Sequence, residues 1–128
     1  LAMAEVHIAA DQLDEAQDRL ERLQAELERW PSSPLHGPCL YQRAHLALRR
    51  GSLDQALHLG EQALELTSSS SVERARRLAL LARVALRQGH PHHAEQCMAA
   101  AEQAVEAAGG AEPTVIEDLA GVRREMDG

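Results

Sequence analysis

The sequence predicts an all-α fold, and three observations support this. Hydrophobic residues make up 45% of the 128 residues, but only 2% are aromatic and none is phenylalanine, so alanine and leucine must build the core. Alanine has the highest helix propensity. Apolar residues recur at spacings of three and four, and breaks rich in glycine, proline or serine separate these stretches. No stretch shows the alternation of a β-strand, and one domain over residues 1–128 is expected from the length.

Seven helical segments are expected along the chain. The first covers residues 1–10, and its start in mid-helix at Leu1 favours a trimmed or partial chain. The second covers residues 12–29 and carries an amphipathic stripe. That stripe consists of Leu13, Ala16, Leu20, Leu23 and Leu27. The remaining five are expected at residues 39–50, 53–66, 71–88, 91–108 and 113–126.

Glycines and hydroxyl residues mark the expected helix ends. Gly51 fits the position after a helix end, where a positive φ is cheap only for glycine, and Gly89 and Gly109 end later helices. Pro91 suits a first helical turn. Three capping boxes are predicted, in which a hydroxyl side chain and a residue three positions later bond each other's backbone N–H. They pair Ser52 with Gln55, Ser70 with Glu73 and Thr114 with Glu117.

A repeated pattern surrounds three of the turns. Three stretches begin at Ile8, Leu48 and Leu86. In each stretch a turn residue lies three positions after the first residue, and an alanine lies five positions after the turn residue. The turn residues are Asp11, Gly51 and Gly89, and the alanines are Ala16, Ala56 and Ala94. Seven residues before the turns stand Ala4, Ala44 and Ala82, and Ala63 and Ala101 follow seven residues after the second and third alanines. Small residues at such spacings are typical of closely crossing helices.

This pattern resembles the tetratricopeptide repeat, a helix-turn-helix unit of about 34 residues. The resemblance covers residues 1–108 and implies units at about 1–30, 35–68 and 71–108. It implies a right-handed superhelical solenoid of about three hairpins, followed by a C-terminal capping helix at residues 113–126. A single hairpin cannot bury both of its apolar faces, whereas stacked hairpins can.

The chain also departs from the family pattern. Leu40 and Leu78 stand at the signature tryptophan, and Arg43 stands where a core leucine is usual. Ala16 and Ala56 are 40 residues apart, and Ala56 and Ala94 are 38 apart. Units near 40 residues with helices rich in Ala, Leu and Arg resemble the tetratricopeptide-like arrays of large bacterial transcription regulators of the LuxR and maltose-activator types. That resemblance implies an alternative function, as a sensor or regulatory segment of such a regulator.

The family usually binds an extended peptide or a partner helix in a concave groove lined by the first helix of each unit. The resemblance therefore implies a non-catalytic protein-interaction scaffold. Because arginine forks suit carboxylates, an acidic peptide or a free C-terminus is the expected ligand. Solvated helix faces that carry arginine by chance are the simpler interpretation, and Tyr41 is equally suited to the core. The candidate groove residues are Tyr41, His45, Arg49, Arg76, Arg83 and Arg87.

Little in the sequence indicates catalysis or a cofactor. His90, His92 and His93 cluster at a turn, but no second cluster with ligand spacing accompanies them, so no metal site is expected. No glycine-rich phosphate loop is present. Cys39 and Cys97 lack an evident activating partner and are expected to be reduced and buried, as in a cytoplasmic protein. An enzyme with its active site in a groove would need perturbed carboxylates or histidines there, and the sequence offers none.

The charge distribution bears on the partners. The net charge is −7, yet residues 31–90 carry eight arginines and only four acids, between two acidic ends. A negative chain with few aromatic residues is not expected to bind nucleic acid, and no apolar run is long enough to span a membrane. If the first helix is truncated, its apolar residues would be open and favour a homodimer. These residues are Leu1, Met3 and Ile8.

Overall fold

The computed structural model describes residues 12–67 and 71–127, and this part of the chain is helical and contains no β-strand. The expected helix at residues 1–10, with Ala4 and the apolar residues assigned to a homodimer, lies outside the described residues, as does the turn residue Asp11. Six helices are described: α1 (Leu13–Leu27), α2 (His36–Arg50), α3 (Leu53–Glu65), α4 (Val72–Arg87), α5 (Pro91–Ala107) and α6 (Pro113–Asp127). The prediction of an all-α chain is confirmed for these residues.

Contacts divide the chain into two compact units, the first ending at Leu66 and the second beginning at Thr67. In the first unit, α2 packs against both α1 and α3. Buried Ala16 and Leu20 of α1 meet Leu46 of α2 there. In the second unit, α4 packs against α5, and α6 packs against both of them. Val122 of α6 is fully buried, so the last helix forms part of the core of this unit.

The turn after α2 has the same backbone structure as the turn after α4. Gly51 has a φ of 79° and Gly89 a φ of 82°. The Gly51 N–H donates to the Leu48 carbonyl, and the next N–H donates to the carbonyl five residues back, at 3.1 and 2.9 Å. The Gly89 turn repeats both bonds, at 3.1 and 2.8 Å. This is the Schellman motif, and the prediction that Gly51 ends a helix is confirmed.

Replacement of Gly89 by alanine should lower the free energy of unfolding by about 1 kcal/mol, because an L side chain is strained at this positive φ. Gly121 lies inside α6 without a positive φ, and an added Cβ there would meet only the ends of the Arg83 and Arg124 side chains, at 3.4 and 3.8 Å. Gly121→Ala should therefore be neutral or stabilising. Urea unfolding of both variants checks this, and equal losses of stability would contradict the backbone assignment.

Three helix starts differ from the predicted capping boxes. The cap of α4 is Ser71, whose Oγ accepts from the Arg74 N–H at 3.0 Å, so the box predicted to start at Ser70 was placed one residue early. Ser52 does precede α3, but its side chain makes no capping bond. Thr114 lies inside α6, which begins at Pro113. Proline suits that first position because its missing N–H would have no helical partner there.

One boundary also differs substantially. Helix α2 begins at His36 rather than at residue 39. Pro38 therefore lies in its first turn, where proline is tolerated because those N–H groups lack helical acceptors. The other described helices begin and end within two residues of the predicted positions.

The α2–α3 and α4–α5 hairpins, called here the first and second hairpins, match at a constant offset of 38 residues. The glycine turns align at this offset, and so do three pairs of fully buried alanines. These pairs are Ala44 and Ala82, Ala56 and Ala94, and Ala63 and Ala101. An alanine without exposed surface at the same place in both hairpins indicates that the helices of each cross closely there.

The hairpins differ at two neighbouring core positions. The second hairpin has buried Leu80 and Leu81, where the first has Gln42 and Arg43. Gln42 is buried, and its Oε1 has no hydrogen-bond partner in the described part of the chain. Arg43 is partly buried. Arg43 is therefore a polar residue at a position where the second hairpin has an apolar core residue.

Candidate partner-binding surfaces

Three of the predicted site residues lie along one face of α2 in the first unit. Tyr41, His45 and Arg49 follow at intervals of four, a spacing that brings side chains to one side of a helix. The Tyr41 and His45 rings are nearly parallel, with an interplanar angle of 20° and centroids 6.4 Å apart. Both side chains are partly buried, whereas Arg49 is exposed at the end of the helix. The structure thus aligns an aromatic residue, an imidazole and an exposed cation.

The other three predicted residues lie on α4 in the second unit, in two different environments. Arg76 and Arg87 are exposed. Arg83 is partly buried, and its Nη1 donates to Asp118 Oδ1 at 2.8 Å while its Nε donates to Glu125 Oε2 at 3.0 Å. Both acids belong to α6. Arg83 is therefore held by the C-terminal helix, and Arg76 and Arg87 are the exposed cations among the three.

The pKa of Arg83 reflects this environment. Burial alone would lower the pKa of its guanidinium, but the hydrogen bonds and charges of Glu125 and Asp118 together raise the pKa above its usual value. An arginine side chain is always charged in a protein, and these contacts favour the charged form further. Its positive charge is compensated within the second unit.

A second arginine cluster joins α6 to α5 and was not predicted from the sequence. Arg123 binds Glu102 through two hydrogen bonds, at 3.0 and 2.5 Å, and donates to Glu95 at 2.5 Å. The hydrogen bonds of Glu102 and then Glu95 raise the pKa of Arg123, and the Arg123 hydrogen bond lowers the pKa of Glu102. The sequence did contain one indication of an arginine-binding pair. Glu95 and Glu102 are seven residues apart, and this spacing places both on one face of α5.

A third arginine, Arg77, is almost completely buried at the position that Cys39 occupies in the first hairpin. Its Nη2 lies 3.5 Å from Glu73 Oε2, one turn earlier on α4. The spacing of four residues between Glu73 and Arg77 could be read from the sequence, but the burial of Arg77 could not. The Cys39 thiol is fully buried, and burial raises its pKa although the charge of Arg43 acts in the opposite direction.

The histidine cluster at the start of α5 is exposed. His90 precedes the helix. The His92 Nε2 atom lies 3.4 Å from Nε2 of Gln96, four residues later. His93 Nε2 is 3.9 Å from the sulfur of Cys97. Within residues 12–67 and 71–127, no three or more His, Cys, Asp or Glu side chains are grouped so that they could hold a metal ion.

Trp30 is the most exposed large hydrophobic residue of the described chain, with 64% of its surface accessible. It lies between α1 and α2, and its carbonyl accepts a hydrogen bond from His36 Nε2 at 2.8 Å. The sequence indicated a break at this point but not the exposure of the indole. Among the described helices, none combines the length and the apolar character that crossing a membrane requires.

Comparison of the chain with protein-family models, with curated proteins and with solved structures found no match.

Proposed function

We propose that the chain is a tetratricopeptide-like helical-repeat module that binds an acidic segment of a partner protein and has no catalytic role. One observation supports this most strongly: the two hairpins share their buried alanines and glycine turns and also repeat basic residues on their first helices. At the 38-residue offset, His45 corresponds to Arg83 and exposed Arg49 corresponds to exposed Arg87. Core alanines repeat because packing requires them, whereas the exposed arginines at equivalent places lie outside the packed core.

The chemistry of these first helices suits carboxylates. Arg49 and Arg87 are exposed in the last turns of α2 and α4, and each guanidinium has a planar fork of donors that matches a carboxylate. Tyr41, beside His45, provides a rigid aromatic surface of the kind that often contributes most to binding energy. Arg83 contributes less to this proposal than the sequence suggested, because two acids of α6 already neutralise it.

A second candidate function is a sensor or regulatory segment of a large bacterial transcription regulator. The observation that favours it is the 38-residue offset between the hairpins, which is longer than the tetratricopeptide unit of about 34 residues and close to the units of those regulators. Both candidates use the same repeat scaffold, and they differ in whether the partner is a separate protein or another domain of the same chain.

The proposal predicts that Arg87→Glu weakens the binding of an acidic peptide about tenfold or more, since a cation is replaced by an acid at the site. Fluorescence anisotropy with a labelled peptide rich in Asp and Glu and with a free C-terminus measures this, at low and at physiological salt. Arg124→Glu is the matched control, because Arg124 is exposed on α6 and the change in net charge is the same.

The control variant should bind like the original chain at both salt concentrations. Equal weakening by Arg87→Glu and Arg124→Glu would show that only the overall charge matters and would overturn the proposed site. A peptide with Asp and Glu replaced by Asn and Gln should not bind, and unchanged binding of that peptide would exclude recognition of carboxylates.

A further inference from the structure

The first unit contains a small polar cavity among its three helices, with a volume of about 30 Å³. Side chains of α1, α2 and α3 line it. Its polar lining comprises Gln17, Glu21, Arg43, Arg50 and Gln55, and its apolar floor includes Leu20, Leu46 and Leu59. The space accommodates about two water molecules or a group of similar size.

This cavity lies on a different side of α2 from the predicted site residues. Arg43 and Arg50 are seven residues apart and share one face of the helix, as do Tyr41, His45 and Arg49 on another. Residues two apart, such as Tyr41 and Arg43, point about 200° apart around a helix axis. An inference about the cavity is therefore independent of the function proposed above.

The second hairpin shows that the repeat does not require a cation here. The position of Arg43 corresponds to Leu81, which is buried in the core of the second unit. The preceding position has Gln42 in place of Leu80, so two adjacent apolar residues are replaced by polar ones in the first hairpin only. A leucine at residue 43 is thus compatible with this helical framework, and the arginine there needs another explanation.

The described acids Asp14 and Glu21 near the cavity are bonded to residues other than Arg43. Arg50 pairs with Asp14 of α1. Glu21 also lines the cavity, and its Oε1 accepts from Gln17 Nε2 at 2.9 Å. Within residues 12–67 and 71–127, Arg43 forms no ion pair, although it is partly buried. A partly buried charge without a counter-ion is unfavourable, and an anion in the cavity would relieve this.

We infer that this cavity binds a single carboxylate group through the Arg43 guanidinium. A carboxylate is planar, small and singly charged, and it matches the arginine fork. Phosphate fits less well, because it is larger and its additional charge increases the repulsion from Glu21 that a carboxylate also meets. The carboxylate can belong to a free small acid or to an Asp or Glu side chain of another protein, and both sources present the same group to Arg43.

The test compares Arg43→Leu, which introduces the residue of the second hairpin, with Arg22→Leu, which makes the same change at an exposed position of α1. Thermal unfolding is followed in sodium acetate and in sodium chloride at equal ionic strength. We expect acetate to raise the Tm of the original chain and of Arg22→Leu, because a ligand that binds only the folded state stabilises it. Arg43→Leu should lose this increase while its Tm in chloride is unchanged or higher.

NMR of the original chain provides a readout that does not depend on the folding of a variant. Titration with acetate should shift the Nε–Hε signal of Arg43 saturably, and chloride should not. A peptide of glycine and aspartate with blocked ends forms the second arm, and its stronger effect would assign the carboxylate to a protein side chain. Absence of a response in both arms, a larger response to phosphate, or an acetate effect retained in Arg43→Leu would overturn the inference.

Discussion

Replacement of Ala94 by leucine is expected to destabilise the second unit by about 3 kcal/mol, the upper end of the range for overpacking of a core. Ala94 has no exposed surface and lies in the first turns of α5, shortly after the Gly89 turn that brings α5 back against α4. Three additional side-chain carbons cannot enter there unless the two helices move apart. The free energy of unfolding in urea measures the effect.

Ala99→Leu is the matched control for this change. Ala99 lies five residues later on the same helix and is exposed, so the substitution should alter stability by less than about 0.5 kcal/mol. Ala56→Leu in the first hairpin should cost as much as Ala94→Leu, because the two alanines occupy equivalent positions. Equal small effects at Ala94 and Ala99 would contradict the close helix crossing, and a mild effect at Ala56 alone would contradict the equivalence of the hairpins.

Reversal of the charge at Arg83 is the second change with a large expected effect. Arg83→Glu would face Asp118 and Glu125 at the places where the guanidinium now binds them at 2.8 and 3.0 Å. Removal of one partner from a buried ion pair costs about 3–5 kcal/mol. Asp118 and Glu125 are partly accessible, so we expect a loss of about 2 kcal/mol.

A charge exchange tests whether the ion pair causes this loss. Asp118→Arg in the Arg83→Glu background should recover at least half of the lost stability, since the pair is then reformed with its charges exchanged. Arg87→Glu, four residues later on α4 but exposed, should leave stability nearly unchanged. An Arg83→Glu variant that unfolds like the original chain would show that the C-terminal helix is not held through this arginine.

The helices and turns were predictable because their signals are local. Gly51 and Gly89 end helices in the structure because they adopt a positive φ, as the sequence predicted. The repeated alanines that lie within the described residues are buried, as their spacing indicated. The cap of α4 was placed one residue early because Ser70 has a glutamate three positions later, as a capping box requires, whereas Ser71 has Arg74 at that spacing. The hydrogen bond from the Arg74 N–H to the Ser71 hydroxyl identifies Ser71 as the cap.

The contacts of the charged side chains were not predictable in the same way. Arg83 was assigned to a binding surface from its helical face, but its partners lie 35 and 42 residues further along the chain. Their positions depend on how α6 packs on α4, which no local pattern specifies. The same applies to Arg123 and its two glutamates, and to the cavity at Arg43, which requires three helices to be assembled. The role of Arg49, Arg76 and Arg87 as partner-binding residues stays a proposal.

A titration of the ¹⁵N-labelled chain with the acidic peptide, followed by two-dimensional NMR, tests most directly whether α2 of the first unit and α4 of the second unit each carry residues that bind the partner. We predict that the largest signal changes occur on α2 and α4, at Tyr41, Arg49, Arg76 and Arg87, and that they diminish as the salt concentration is raised. Changes confined to α3 and α5, or spread evenly over all exposed arginines including Arg124, would contradict it.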